Sequence, residues 1–135
     1  MKIGVRYYTR SGNTEKLAKA IADAVGVRAG PVSVSLTEKA DVLFLGCSYY
    51  AFDVDEAVKK FIFENKDNIG KIDCFGTSAM MKSTHKPMKK VAGEAGVPLS
   101  SEEFHCRGSF GPMHKGRPDE NDLKKAAEFA KRIVK

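Results

Sequence analysis

Apolar and polar positions along the 135-residue chain change their period several times. Ile3 to Tyr8 is rich in β-branched and aromatic residues and runs into a Thr/Ser/Gly cluster, the pattern of a strand. From Glu15 the spacing becomes helical. Leu17, Ala18, Ile21, Ala22 and Val25 share one face, and Gly26 stands where a helix C-cap belongs. Val32, Val34 and Leu36 alternate with Ser33 and Ser35, which predicts a short strand with one wet face. Val42 to Leu45 is a continuous apolar run closed by Gly46, as expected of a strand covered on both faces. Ala57, Val58, Phe61 and Ile62 predict a helix, with the acids Asp55 and Glu56 suited to its positive end.

Ile72 to Thr77 reads as another strand, and Met88, Val91, Ala92 and Ala95 as a helix between Pro87 and Gly96. Phe104 and Cys106 mark a last strand. Leu123, Ala126, Ala127, Ala130, Ile133 and Val134 give a final helix, opened by Asp119, Glu120 and Asp122. Strands alternating with helices imply a parallel sheet covered on both faces, in one domain spanning residues 1–135. One crossover breaks the rhythm. Only Thr37 to Ala40 part the second and third predicted strands, whereas a parallel crossover needs about a dozen residues or more. Either the second strand is short and peripheral, or its covering helix has shrunk to about a turn.

Composition narrows the function classes. Hydrophobic residues at 42% and charged residues at 30% fit an ordinary globular domain, and no apolar run approaches the roughly 20 residues of a membrane span. Cys47, Cys74 and Cys106 are odd in number and form no C-x-x-C pair, which suits a reducing compartment. With Met1 and Lys2 leading straight into a strand and no signal-peptide pattern, the expected location is cytoplasmic. The net charge of +6 comes from 23 basic residues scattered among 17 acids. The densest basic stretch, Lys82 to Lys90, holds four lysines, short of a nucleic-acid-binding run. His85, His105 and His114 with Cys106 lack metal-ligand spacing, and no G-x-G-x-x-G dinucleotide motif occurs.

Chemistry concentrates in Thr9-Arg10-Ser11-Gly12-Asn13-Thr14, between the first strand and first helix. Unpaired backbone amides and the helix dipole favour an anion there. Hydroxyls of Thr9, Ser11 and Thr14 can donate to phosphate oxygens, and Gly12 permits close backbone approach. The same residue types also cap helices, so composition leaves a plain capped loop open beside a phosphate site. Arg10 could reach a phosphate or face water. Tyr49, Tyr50 and Phe52, just after a buried strand, suit a binding surface or a covered core; Met80 and Met81 are equally two-sided.

The stretch Tyr8–Ala18 resembles the flavodoxin phosphate signature, T/S-x-T/S-G-x-T after the first strand. Leu43–Ile62 is similar to the flavodoxin third strand, flavin-contacting loop and following helix; Cys74–Ser83 falls at the second such loop, and 108–133 at the C-terminal loop and helix. The resemblance implies a flavodoxin-like three-layer α/β sandwich: a five-stranded parallel sheet of order 2-1-3-4-5, here with a reduced second crossover helix. It implies FMN as cofactor, the phosphate held by Thr9 to Thr14. Ser48, Tyr49, Tyr50, Ala51 and Phe52 would line one side of the flavin, and Thr77, Ser78, Ala79, Met80 and Met81 the other side or its edge.

The implied function is electron transfer between a reductase and a protein or small-molecule acceptor. The alternative is a partner-binding module on the same scaffold, such as a flavodoxin-like activator of ribonucleotide reductase or a form that has lost FMN. Two departures bear on this choice. No tryptophan is present and Tyr50-Ala51-Phe52 lacks glycine, which argues against efficient one-electron shuttling. The chain is basic where electron-carrier flavodoxins are acidic, so the expected redox partner is acidic at its docking surface.

Overall fold

The computed structural model describes residues 1–9, 12–48, 54–78, 85–107, 116 and 118–135, with backbone alone at 47, 48, 78, 85 and 107. The elements are β1 (Ile3–Tyr7), α1 (Asn13–Val25), β2 (Ala29–Pro31), β3 (Val42–Ser48), α2 (Glu56–Asn65), β4 (Ile72–Ser78), α3 (His85–Ala95), β5 (Leu99–Arg107) and α4 (Glu120–Val134). A 3-10 turn, Lys66–Asn68, follows α2. All strands pair in parallel in the order β2-β1-β3-β4-β5, the order that the resemblance implies.

Side-chain alternation along the strands fills two cores. Leu43, Leu45, Ile72 and Cys74 meet Val58, Phe61 and Ile62 of α2 and Met88, Val91 and Ala92 of α3 on one face. On the other, Val5, Phe44 and Phe75 meet Leu17, Ala18 and Ile21 of α1 and Ala126, Phe129 and Ala130 of α4. Phe129, which lies outside the apolar set expected for that helix, is its largest buried side chain. It packs edge-on to Phe44 with ring centroids 6.1 Å apart.

The second strand is not where the alternation places it. Val32-Ser33-Val34-Ser35 forms a turn, Val34 stands exposed, and the strand is Ala29–Pro31, just upstream. Residues with little β-propensity serve there because β2 is an edge strand paired only to β1, where Pro31 needs no second partner for its missing N–H. Arg6 of β1 fixes the turn, donating from Nε to the Val34 carbonyl at 2.9 Å and from Nη2 to that of Ser35 at 3.4 Å. The reduction of the second crossover goes to completion: no helix lies between β2 and β3. Leu36 covers part of the gap, its amide held by Asn65 Oδ1 at 2.9 Å.

The other termini carry recognisable stops. Asp55 caps α2 by accepting from Ala57 N at 3.0 Å. At α4, Asp119 accepts from the Asp122 amide while Asp122 accepts from that of Asp119, each at 2.9 Å. Such reciprocal caps contribute about 1 kcal/mol. Asp119→Ala therefore lowers stability by about 1 kcal/mol, read as a lower urea midpoint at unchanged slope. Among the described residues no helix is long and apolar enough to cross a membrane.

Candidate functional site at the carboxyl ends of β1, β3 and β4

The strand order reverses at β1, whose neighbours β2 and β3 lie on opposite sides. In open parallel sheets the crevice above such a point is the usual binding place. The Tyr8 amide donates to the Gly46 carbonyl at 2.9 Å, which draws the start of the β1–α1 loop onto the end of β3. Thr9 then accepts the Gly12 amide on its hydroxyl at 2.9 Å, which ties the end of β1 to the start of α1. Gly12, at φ 88°, is the N-cap of α1. That left-handed backbone suits glycine, and a glycine cap has no side chain to compete for the first-turn amides. The N-cap residue thus makes no side-chain hydrogen bond to the first turn, and the positive end of the helix lies over the sheet.

Asn13 and Thr14 are buried. The hydroxyls of Thr14 and Thr77 lie 3.0 Å apart, sealed from solvent on the face shared with α1 and α4. Two residues 63 positions apart in sequence, expected in the phosphate loop and the second flavin loop, are thereby tied together. Sequence spacing carries no signal for this pair. Thr77 rises from β4 opposite Ser48 of β3, so both expected flavin loops begin at adjacent strand ends.

Of the expected site residues, Thr9, Gly12, Asn13, Thr14 and Thr77 occupy one corner. Ser48 and Ser78 are the last residues of β3 and β4. Arg10, Ser11, Tyr49, Tyr50, Ala51, Phe52, Ala79, Met80 and Met81 lie outside the described residues, as do Lys82 and His114.

Beside the corner, the Tyr7 hydroxyl donates to Glu15 Oε2 at 3.1 Å, and Glu15 also pairs with Lys19 at 3.3 Å. Loss of solvent holds the Tyr7 phenol above its ordinary value, with the hydrogen bond and charge of Glu15 adding to the effect. A raised folded-state value means that the unfolded chain gives up its proton first. The stability that Tyr7 contributes is complete below pH ~10 and is lost as pH rises through that value and beyond. In urea titrations, Tyr7→Phe is expected to lose less stability than the parent between about pH 9 and 11. Equal losses would contradict this.

On the α2 side of Thr9, a cleft of about 500 Å³ opens between the end of β1, residues Pro31 to Ser35, and α2 at Ala57, Lys60, Phe61 and Glu64. It occupies the flank that the missing crossover helix leaves bare. Nothing in the periodicity of the chain announces it.

No family model matches the chain. The uncharacterized protein MJ0298 of Methanocaldococcus jannaschii is 32% identical over 137 residues, covering 91% of this chain and 91% of that protein. Among solved structures, a flavodoxin from the domain Archaea superposes with a TM-score of 0.80 at 17% identity, over 99% of this chain and 96% of its own. Flavodoxin 1 from Bacillus cereus gives a TM-score of 0.70 at 20% identity, covering 99% and 97%. Rubredoxin oxygen:oxidoreductase from Desulfovibrio gigas gives 0.74 at 13%, over 98% of this chain and 35% of that one. These likenesses establish a flavodoxin-like fold.

Proposed function

The chain belongs to the family of the Methanocaldococcus jannaschii protein MJ0298, and we propose that it binds FMN and passes electrons between a reductase and a protein or small-molecule acceptor. The observation that carries this reading is the corner at the start of α1. A glycine-capped helix end, the Gly12–Thr9 hydrogen bond and the Thr14–Thr77 tie meet where the sheet order reverses. The donors suit a phosphate monoester, since the Thr9 hydroxyl and the positive end of α1 meet here without need of a metal, and the Thr14–Thr77 bond braces the corner beneath. Thr9 to Thr14 would hold the phosphate. The segments 48–52 and 77–81 would cover the ring and limit its contact with water. Bound there, the flavin supplies the electron chemistry while the protein sets its potential and access.

The expected partner is acidic. Lys86, Lys89 and Lys90 are exposed on the first half of α3, and Lys60 on α2. Both helices start on the site side of the sheet, and α3 has no acid in its first turn to offset them. Lys86, in the first turn of α3, opposes the helix dipole, so its placement there answers to something other than helix stability. A cytoplasmic setting accords with the burial of Cys74 and Cys106 in the two cores.

The missing crossover helix also favours a second reading, a flavodoxin scaffold used for partner binding alone. The absorption spectrum of freshly purified protein, followed through stepwise reduction, separates the two. Flavin bands that bleach reversibly support the redox reading. Protein that carries no flavin, takes up none when FMN is added, yet retains one acidic protein stoichiometrically supports the scaffold.

A further inference from the structure

Glu15 stands where a carboxylate ordinarily turns back on its own helix. It is the third residue of α1 and the acid of its first turn. A glutamate at that position commonly reaches back to the N-cap amide, drawn by the positive end of the helix. Here it does not. The Gly12 amide goes to the Thr9 hydroxyl instead, at 2.9 Å. The Glu15 carboxylate is held elsewhere: Oε2 accepts from the Tyr7 hydroxyl at 3.1 Å and pairs with Lys19, one turn further along α1, at 3.3 Å.

The two holders differ in firmness. Lys19 is largely exposed, and an exposed pair one turn apart on a helix is weak. Tyr7 is fixed. It closes β1, paired to Pro31 on one side and Gly46 on the other, and its ring packs against the core shared with α1 and α4. The hydroxyl on that ring is therefore a stationary hook for Glu15. A phosphate dianion and a free Glu15 carboxylate would be drawn to the same end of the same helix, and like charges exclude each other there. We infer that Tyr7 is a positioning residue, which holds the Glu15 carboxylate off the head of α1 and so keeps that place open to the flavin phosphate. This rests on the reading that the loop grips that phosphate.

The experiment is a set of fluorescence titrations of purified, flavin-free protein with FMN and with riboflavin, on the parent, Tyr7→Phe, Glu15→Gln and the double variant. Tyr7→Phe is expected to weaken FMN binding by about fivefold, as one released carboxylate moves towards the phosphate, and to leave riboflavin binding unchanged. A general loss of structure would weaken both flavins alike. With Glu15→Gln in place there is no carboxylate to release, so adding Tyr7→Phe costs nothing further. Glu15→Gln alone binds FMN at least as tightly as the parent. Three results would overturn the inference and leave the phosphate grip standing: unchanged FMN affinity in Tyr7→Phe, a loss that persists beside Glu15→Gln, or a loss in Glu15→Gln alone. A parent that binds FMN no more tightly than riboflavin overturns both.

Discussion

Replacing Gly46 by alanine is expected to lower stability by about 3 kcal/mol, or roughly 10 °C in melting temperature at about 3–4 °C per kcal/mol. Gly46 of β3 pairs with Phe75 of β4, and the Phe75 ring lies across it on the α1/α4 face. A Cβ at residue 46 would overlap that ring. Phe75 is fully buried in the core that also holds Phe44, Leu17 and Phe129, so the ring has no void to move into. The displacement would reach the site as well, because Thr77, two residues beyond Phe75 on the same face, carries the tie to Thr14. Trimming the ring tests the cause. In a Phe75→Leu background, Gly46→Ala costs at least about 1 kcal/mol less than in the parent. A cost below about 0.5 kcal/mol in the parent would show that the ring does not depend on the glycine.

The second large effect is on binding. Gly12→Asp places a carboxylate at the cap of α1, where the flavin phosphate is proposed to sit. Two like charges about 4–5 Å apart repel by on the order of 3 kcal/mol at an effective dielectric of about 20. FMN affinity therefore falls by about 100-fold or more, equivalent to about 2.7 kcal/mol. Gly12→Asn is the control. Asparagine and aspartate tolerate the left-handed backbone at φ 88° about equally, so both variants share any strain and differ in charge alone. The Asn variant keeps most of the affinity. If the two lose affinity alike, repulsion at the cap is not what governs binding.

How far the sequence reaches depends on whether a feature is local. The helices were legible because their apolar faces persist over ten residues or more, as in α1 and α4. The buried strand β3 was legible because both faces are covered, leaving an unbroken apolar run, and β4 because Ile72, Cys74 and Phe75 are apolar around a single buried Asp73. The edge strand β2 was not. It has three residues, Ala-Gly-Pro, held by backbone pairing to β1, while the neighbouring Val-Ser alternation belongs to a turn pinned by Arg6. At the site, the loop from Thr9 to Thr14 announced itself as a motif because its parts are adjacent in the chain. The Thr14–Thr77 tie, the seat of Phe75 on Gly46 and the cleft at Lys60 each join distant segments, and only the strand register brings them together.

The most direct test of a phosphate grip at the head of α1 is a pair of fluorescence titrations, one with FMN and one with riboflavin, which lacks only the phosphate. FMN is expected to be quenched on binding at least about 100-fold more tightly than riboflavin, with the margin shrinking in Gly12→Asp. Equal affinities, or no quenching by either flavin, would contradict it.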